Sequence, residues 1–378
     1  MTKRKKKQPS AAEPVESVEK VAEPVEVFNF PAVSVIVPMH DAGSLIAECL
    51  DSLLAQTFKN FEVIIVDDCS VDSSPAIVQN VAPQFGGRLI YFRLKNYSGG
   101  KSIPCNTGIA LARGEYVRFL DAEDRLIETA LEEDFKLARA TKADVVWHTR
   151  FYNLSADGTK GKLAAEPKYQ DGDEIVLDED LFTRAKELTE DKYYLEAWRS
   201  FSRRDFLIAD ELYFPNMHPY EDIVWSQTLL IHAKRFLRVP SAIYLCRENK
   251  PQPTADETSR LKPIVTGLKT LDKFLSRHEL FKTKPQLYYT LLENYFSGRL
   301  AEIFNECSES APFELYAALQ KIFGKDLGEH DVLIPALCSV LVQQQRIAEA
   351  KVKQVKEYSA QAAQRITELE NEIKSRAR

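Results

Sequence analysis

Short apolar runs alternating with helical patterns constrain this chain more than any other feature. Val33-Ser-Val-Ile-Val-Pro38 and Phe61-Glu-Val-Ile-Ile-Val66 are almost wholly aliphatic, as expected of strands buried on both faces. Between them, Leu45, Ile46, Cys49, Leu50, Leu53 and Leu54 recur at helical spacing over Ala42 to Gln56. The pattern continues through a helix from Val71 to Val81, a strand from Arg88 to Leu94, and a helix opened by Ser98-Gly99-Gly100 and running to about Arg113. A strand over Tyr116 to Leu120, a helix over Leu126 to Ala140 and a strand over Asp144 to His148 follow. This alternation predicts βαβ units and a mainly parallel sheet covered by helices on both faces, an α/β nucleotide-binding fold.

The strand at Tyr116 to Leu120 runs straight into three carboxylates, Asp121, Glu123 and Asp124. Acids on adjacent turn positions repel one another, and a divalent cation resolves that repulsion. Mg²⁺ and Mn²⁺ take hard oxygen ligands, usually one or two carboxylates completed by water and substrate phosphates. The end of a strand in an open α/β sheet is where such ligands bind. The alternative is an acidic first turn that favours the dipole of the helix expected from Leu126.

The formal charge of −6 over 378 residues gives no basic surface for nucleic acid. The six cysteines form no C-x-x-C pair and read as buried thiols in a reducing compartment. No run reaches the roughly 18 apolar residues of a membrane span, and the N-terminus lacks the apolar core of a signal peptide. The expected location is cytoplasmic, at the inner face of the membrane if the basic knot Lys3 to Lys7 makes peripheral contact with anionic lipid. Residues 1–31 repeat Ala-Glu-Pro-Val-Glu and read as a disordered tail.

In order, these pieces resemble the family 2 glycosyltransferases, whose fold is of the GT-A type. The matching stretches are Val33 to Pro38, Leu54-Ala-Gln-Thr-Phe58, Val66-Asp-Asp-Cys-Ser70 with Asp72, Asn106 to Tyr116, and Phe119-Leu-Asp-Ala-Glu-Asp124. Ala197 to Leu207, Phe214 and Tyr220-Glu-Asp-Ile223 continue them, so the resemblance covers roughly residues 32–250. The chain lacks G-x-G-x-x-G after its first strand and lacks G-x-x-x-x-G-K-[ST], which disfavours dinucleotide and Walker-type folds.

The resemblance implies an inverting, metal-dependent transferase of a hexose or N-acetylhexosamine from a nucleotide-diphosphate sugar, UDP-linked by expectation. Pro38, His40 and Asp41 would line base and ribose, and Asp68 would accept from the base N–H. Lys101 and Asn106 lie on the segment that faces the donor. Asp121-Ala122-Glu123 corresponds to the family's Asp-X-Asp element, with Asp121 on ribose and metal and Glu123 on Mn²⁺ or Mg²⁺. Asp222, beside Glu221, would be the general base that takes the acceptor's proton, its pKa raised by repulsion from Glu221; helix capping is the alternative role for Asp222. Trp198 and His218 would face a glycan or lipid-linked acceptor. His40-Asp41 stands where the family often has Tyr-Asn, Glu123 where it has Asp, and Ser200 where it often has Lys. Arg199 or Arg203 would supply that missing cation, and Arg247-Glu-Asn249 would close over the diphosphate.

From Ser259 the pattern is helical, giving a module expected over 251–338 behind a catalytic domain at 32–250. Over 339–378 a heptad runs with Gln345, Val352, Ser359, Ile366 and Ile373 at a, and Ala348, Val355, Ala362, Leu369 and Arg376 at d. It predicts a coiled coil and a homo-oligomer through residues 345–376, with a solitary solvated helix as the alternative. The expected role is cell-surface polysaccharide or glycoconjugate synthesis. The alternative is a degenerate GT-A module that acts as a scaffold through its tail.

Overall fold

The computed structural model describes residues 30–155, 157–165, 175–178, 180–189, 195–218, 220–248, 261–285, 287–288, 291–292 and 295. Most of the N-terminal tail, most of the expected helical module, the heptad tail and Asn249 lie outside the described residues. None of the described helices is long and apolar enough to cross a membrane.

The elements run β1 (Val33–Met39), α1 (Leu45–Leu54), β2 (Phe61–Asp67), α2 (Ser74–Val81), β3 (Leu89–Arg93), α3 (Ser102–Leu111) and β4 (Tyr116–Phe119). Next come β5 (Arg125–Leu126), α4 (Ala130–Thr141), β6 (Val145–His148), β7 (Arg150–Leu154), β8 (Lys160–Ala165), β9 (Val176–Asp178) and α5 (Leu181–Thr189). The rest are β10 (Ser200–Arg203), α6 (Arg204–Ala209), α7 (Glu221–His232), β11 (Phe236–Val239), β12 (Tyr244–Arg247), α8 (Leu261–Leu275) and α9 (Glu279–Thr283).

Eight strands form one sheet in the order β3-β2-β1-β4-β10-β6-β11-β9. Its first four are parallel throughout, as the βαβ alternation requires. The other half is mixed, because β10 enters antiparallel between β4 and β6, and β9 pairs antiparallel with β11. Four of the seven pairings, those of β1 with β2 and β4, β2 with β3, and β6 with β11, are parallel. A second sheet, β5-β12-β7-β8, stands beside it.

Successive residues of a strand point to opposite faces, and the core divides accordingly. Val33, Val35 and Val37 pack with Leu50 and Leu53 of α1 and Leu131 of α4. Ile36, Ile64 and Val66 pack with Ile109 of α3, Trp225 and Leu229 of α7, and Ile264 and Leu275 of α8. Two glycines let α3 and its exit lie against β1. A Cβ on Gly108 would sit 2.3 Å from Ile36 Cγ2, and one on Gly114 would sit 2.5 Å from the Ser34 backbone N.

The helix expected from Leu126 begins instead at Ala130. Arg125 and Leu126 pair with Leu245 and Tyr244 of β12, and that tertiary pairing overrides the helical pattern. The acidic turn therefore precedes a strand, and the helix-dipole reading of Asp121 to Asp124 fails. Helix α7 starts at Glu221, so both acids of the Glu221–Asp222 pair lie in its first turn.

Candidate active site

Because β1, β2 and β4 are parallel neighbours, their carboxyl ends open on one side of the sheet and carry Met39 to Asp41, Asp68 to Ser70 and Asp121 to Asp124. The three acids of the last turn divide in role. Asp124 is fully buried and accepts from Tyr244 Oη at 2.7 Å and from the Arg247 amide at 2.8 Å. The same Tyr244 hydroxyl accepts the Asp121 amide at 3.1 Å. Arg247 completes the bracket, donating to the Glu123 carbonyl at 3.0 Å and to Glu48 Oε2 at 2.7 Å. Asp124 thus anchors the turn, which leaves Asp121 and Glu123 as the candidate metal carboxylates.

Lys101, at the head of α3, places its ammonium 2.9 and 2.8 Å from the two oxygens of Asp121. Burial pulls the Lys101 pKa down, but Asp121, Asp222 and Glu123 outweigh it and hold it well above the ordinary lysine value. The first turn of α7 brings the second acidic pair to the same place. Its N-cap, Tyr220, holds φ +81°, a conformation unusual for a residue with a side chain. Glu221 is buried, accepts the Lys101 amide at 3.4 Å and lies 3.2 Å from His218 Nδ1. That contact raises the His218 pKa against the opposing effect of burial.

Asp222 is half-buried, and its buried Oδ1 has no hydrogen-bond partner among the described residues. Its pKa rises from 3.8 to about 7. Burial is the largest cause; Lys101 opposes it, and Glu221, Asp121 and Glu196 add to the rise. The expected repulsion from Glu221 is present, but as the lesser contribution. Asp222 makes no side-chain cap, and the N-cap is Tyr220.

On the β2 side, Asp68 is buried and accepts from Ser98 twice, from N at 2.8 Å and from Oγ at 2.7 Å. His40 Nδ1 lies 2.8 Å from the Asp68 carbonyl, and its ring packs on Tyr97 at 4.5 Å between centroids. Asp41 faces the loop that precedes α2, where its Oδ1 accepts the amides of Val71 at 2.7 Å and Asp72 at 3.3 Å. Pro38 lies buried in β1 opposite Val66, and Ala122 is buried in the core.

Other expected residues lie elsewhere. Asn106 makes a reciprocal pair with the Phe214 backbone, at 2.9 and 2.8 Å, so it fastens the loop carrying His218 to α3. A Cβ on Gly100 would sit 2.7 Å from His218 Cβ, so only glycine permits that contact. Trp198 is buried, stacked on the Tyr244 ring at 4.2 Å, and supports the acidic turn from beneath. Arg199 is bound to Glu196 and the His148 carbonyl, and Arg203 to Asp144. Lys101, by contrast, pairs with the Asp121 carboxylate of the acidic turn.

A cavity of about 280 Å³ adjoins the Gly99-Gly100 and Met217-His218 segments, with Pro263 and Thr266 of α8 on its wall. Sequence reasoning missed Tyr97, Ser98 Oγ, Glu196 and Tyr244, each defined by contacts between distant segments.

The described residues contain no group of three or more His, Cys, Asp or Glu side chains placed to hold a metal ion. Two carboxylates completed by water and phosphate oxygens are nevertheless the usual magnesium arrangement. The ammonium on Asp121 also shows that both oxygens of this carboxylate face a point suited to a cation. The donor set fits.

These features define a GT-A sheet with an acidic turn at its carboxyl edge. Residues 34–195 match the family described as Glycosyl transferase family 2. It is 30% identical over 220 residues to EpsJ of Bacillus subtilis, described as an uncharacterized glycosyltransferase, covering 58% of this chain and 62% of EpsJ. It is 35% identical over 138 residues to the poly(ribitol-phosphate) β-N-acetylglucosaminyltransferase TarP of Staphylococcus aureus, covering 36% of this chain and 39% of TarP. The chain therefore spans less than two thirds of the length of these relatives. Residues 1–349 of S. aureus TarS, solved with UDP-GlcNAc, share the fold at a TM-score of 0.51 and 23% identity, over 76% of this chain and 87% of that one.

Proposed function

We propose that the chain is an inverting glycosyltransferase that moves a sugar, hexose or N-acetylhexosamine, from a UDP-sugar to a hydroxyl of a glycan or lipid-linked acceptor. The observation that carries this reading is Asp222, a half-buried carboxylate with an unpartnered buried oxygen and a pKa of about 7, among the acids grouped around Lys101. A general base works best when its pKa lies near the working pH. Asp222 takes the acceptor's proton as the hydroxyl oxygen attacks the anomeric carbon. The bond from that carbon to the diphosphate oxygen breaks on the opposite face, and the new glycosidic bond forms with inversion.

On the donor side, Asp68 with Ser98 meets the base edge, and the His40–Tyr97 pair offers the base a stacking wall. Asp121 meets the ribose. Asp121 and Glu123 would hold Mn²⁺ or Mg²⁺, which when bound neutralises the departing diphosphate. His218 and Glu196 flank the acceptor side. The name of TarP, an N-acetylglucosaminyltransferase acting on poly(ribitol phosphate), supports a cell-surface polymer or glycoconjugate as the acceptor class. The catalytic unit is residues 32–250.

Incubation with UDP-, GDP- and CDP-sugars and Mn²⁺ should release nucleoside diphosphate fastest from a UDP-sugar. UDP at 100 times its dissociation constant should stabilise the fold by about 2.7 kcal/mol. No hydrolysis together with no thermal shift from any nucleotide would defeat the enzymatic reading and favour the scaffold.

A further inference from the structure

Asp121, Glu123 and Asp222 all act on the Lys101 ammonium, and Glu221 contacts the Lys101 amide. Lys101 lies evenly across both Asp121 oxygens, at 2.9 and 2.8 Å, with its side chain 40% exposed and that of Asp121 9% exposed. A cation needing either oxygen at the 2.0–2.1 Å usual for magnesium would have to displace the ammonium from this position. The anchoring is local to the side chain. The Lys101 amide stays on Glu221, and Ser102 Oγ is held by the carbonyls of Pro215 and Met217 at 2.6 and 2.9 Å. The four-carbon stem can therefore swing while its backbone stays fixed, the behaviour expected of a lysine more than of an arginine fork.

We propose that Lys101 is an exchangeable counter-ion: it occupies Asp121 in the empty site and yields that carboxylate to the divalent cation when a nucleoside diphosphate arrives to receive the ammonium. This rests on the metal-dependent reading above and adds a coupling to it. With nucleotide absent, a metal ion must displace the ammonium from Asp121 with no anionic partner supplied beyond Asp222 and Glu123, which already act on it. With nucleotide present, the diphosphate is that partner. Metal and nucleotide then assist one another's binding, and by linkage the assistance is reciprocal. The arrangement also keeps Asp121 paired between turnovers, since a largely buried carboxylate left without a counter-charge is costly.

The test is Mn²⁺ binding to the full chain, followed by the paramagnetic signal of free Mn²⁺, with and without saturating UDP. The wild-type chain should bind Mn²⁺ at least tenfold more tightly with UDP. Lys101→Met should tighten nucleotide-free Mn²⁺ binding at least tenfold and shrink the UDP effect. Lys101→Gln serves as a second variant should the methionine disturb folding. Adding Asp121→Asn to either should abolish the gain, which ties it to this carboxylate. Equal nucleotide-free affinity in wild type and both variants would overturn the exchange while leaving metal binding intact. No Mn²⁺ binding in any variant, with or without UDP, would overturn both.

Discussion

Asp222→Asn should fold like the parent chain, retain UDP and Mn²⁺ binding, and lose sugar transfer by roughly two to four orders of magnitude. The amide is close in shape to the carboxylate, and Asp222 Oδ1 has no hydrogen-bond partner to lose. Removing a buried charge beside Glu221 and Asp121 also relieves repulsion, so the melting temperature should hold or rise. What disappears is the acceptor for the incoming hydroxyl proton. Turnover within threefold of wild type would refute the assignment. The unmodified chain offers a companion measurement. A base works only when deprotonated, and the Asp222 pKa is raised to about 7, so kcat should climb between about pH 6 and 8 and level off above. Stability should move the other way. The folded chain binds this proton more tightly than the unfolded one, so the Asp222 contribution declines as pH rises from the ordinary 3.8 to about 7 and is constant above it. A flat kcat profile over that window would exclude Asp222 as the titrating base.

The second large effect is on stability alone. Asp134 lies between two cationic or polarisable partners, Arg118 Nη1 at 3.4 Å and His148 Nε2 at 2.7 Å, and all three side chains are fully buried. His148 Nδ1 lies 3.0 Å from the Ser241 carbonyl, and Arg118 donates to the Ser200 carbonyl at 3.2 Å. Asp134→Ala strands the Arg118 charge beneath the sheet, a change that typically costs about 3–5 kcal/mol. For a chain of this size the melting temperature should fall by about 10 °C. Arg118 lies 6.0 Å from the centroid of the Tyr244 ring, whose hydroxyl holds Asp121 and Asp124. Weaker nucleotide binding should therefore accompany the loss. A melting point within 2 °C of wild type would show that the network contributes little.

Strands buried on both faces announced themselves in the sequence, because β1 and β2 need unbroken apolar runs. The acidic turn and the Glu221–Asp222 pair were legible as clusters of adjacent acids. β10 was not. Ser200 and Ser202 are fully buried beside Phe201, yet Ser-Phe-Ser-Arg carries no apolar run to mark a central strand. The two-residue β5 exists only through its pairing with β12. The same limit applies to the site. Lys101 with Asp121, Asn106 with Phe214 and Tyr244 with Asp124 join residues 20, 108 and 120 positions apart, and only the folded topology makes them neighbours. The resemblance puts Trp198 at the acceptor, and an isolated tryptophan gives no sign of what stacks on it; here that is Tyr244.

The antiparallel entry of β10 also governs how this chain must be assembled. The family match ends at residue 195, five positions before the strand that joins β4 to β6. A fragment ending there would leave β6 and β9 without strand partners and one edge of β4 open, the condition that invites strand exchange and aggregation. During synthesis the parallel half, β1 to β4, can collapse early, but the sheet is bridged only after residue 203 has emerged and turned back. A strand from late in the chain, with only β11 of this sheet still to follow, sits at the middle of the sheet. Closure is therefore a late, long-range event, and the slow step of folding should be the docking of β10, preceding order in the acidic turn.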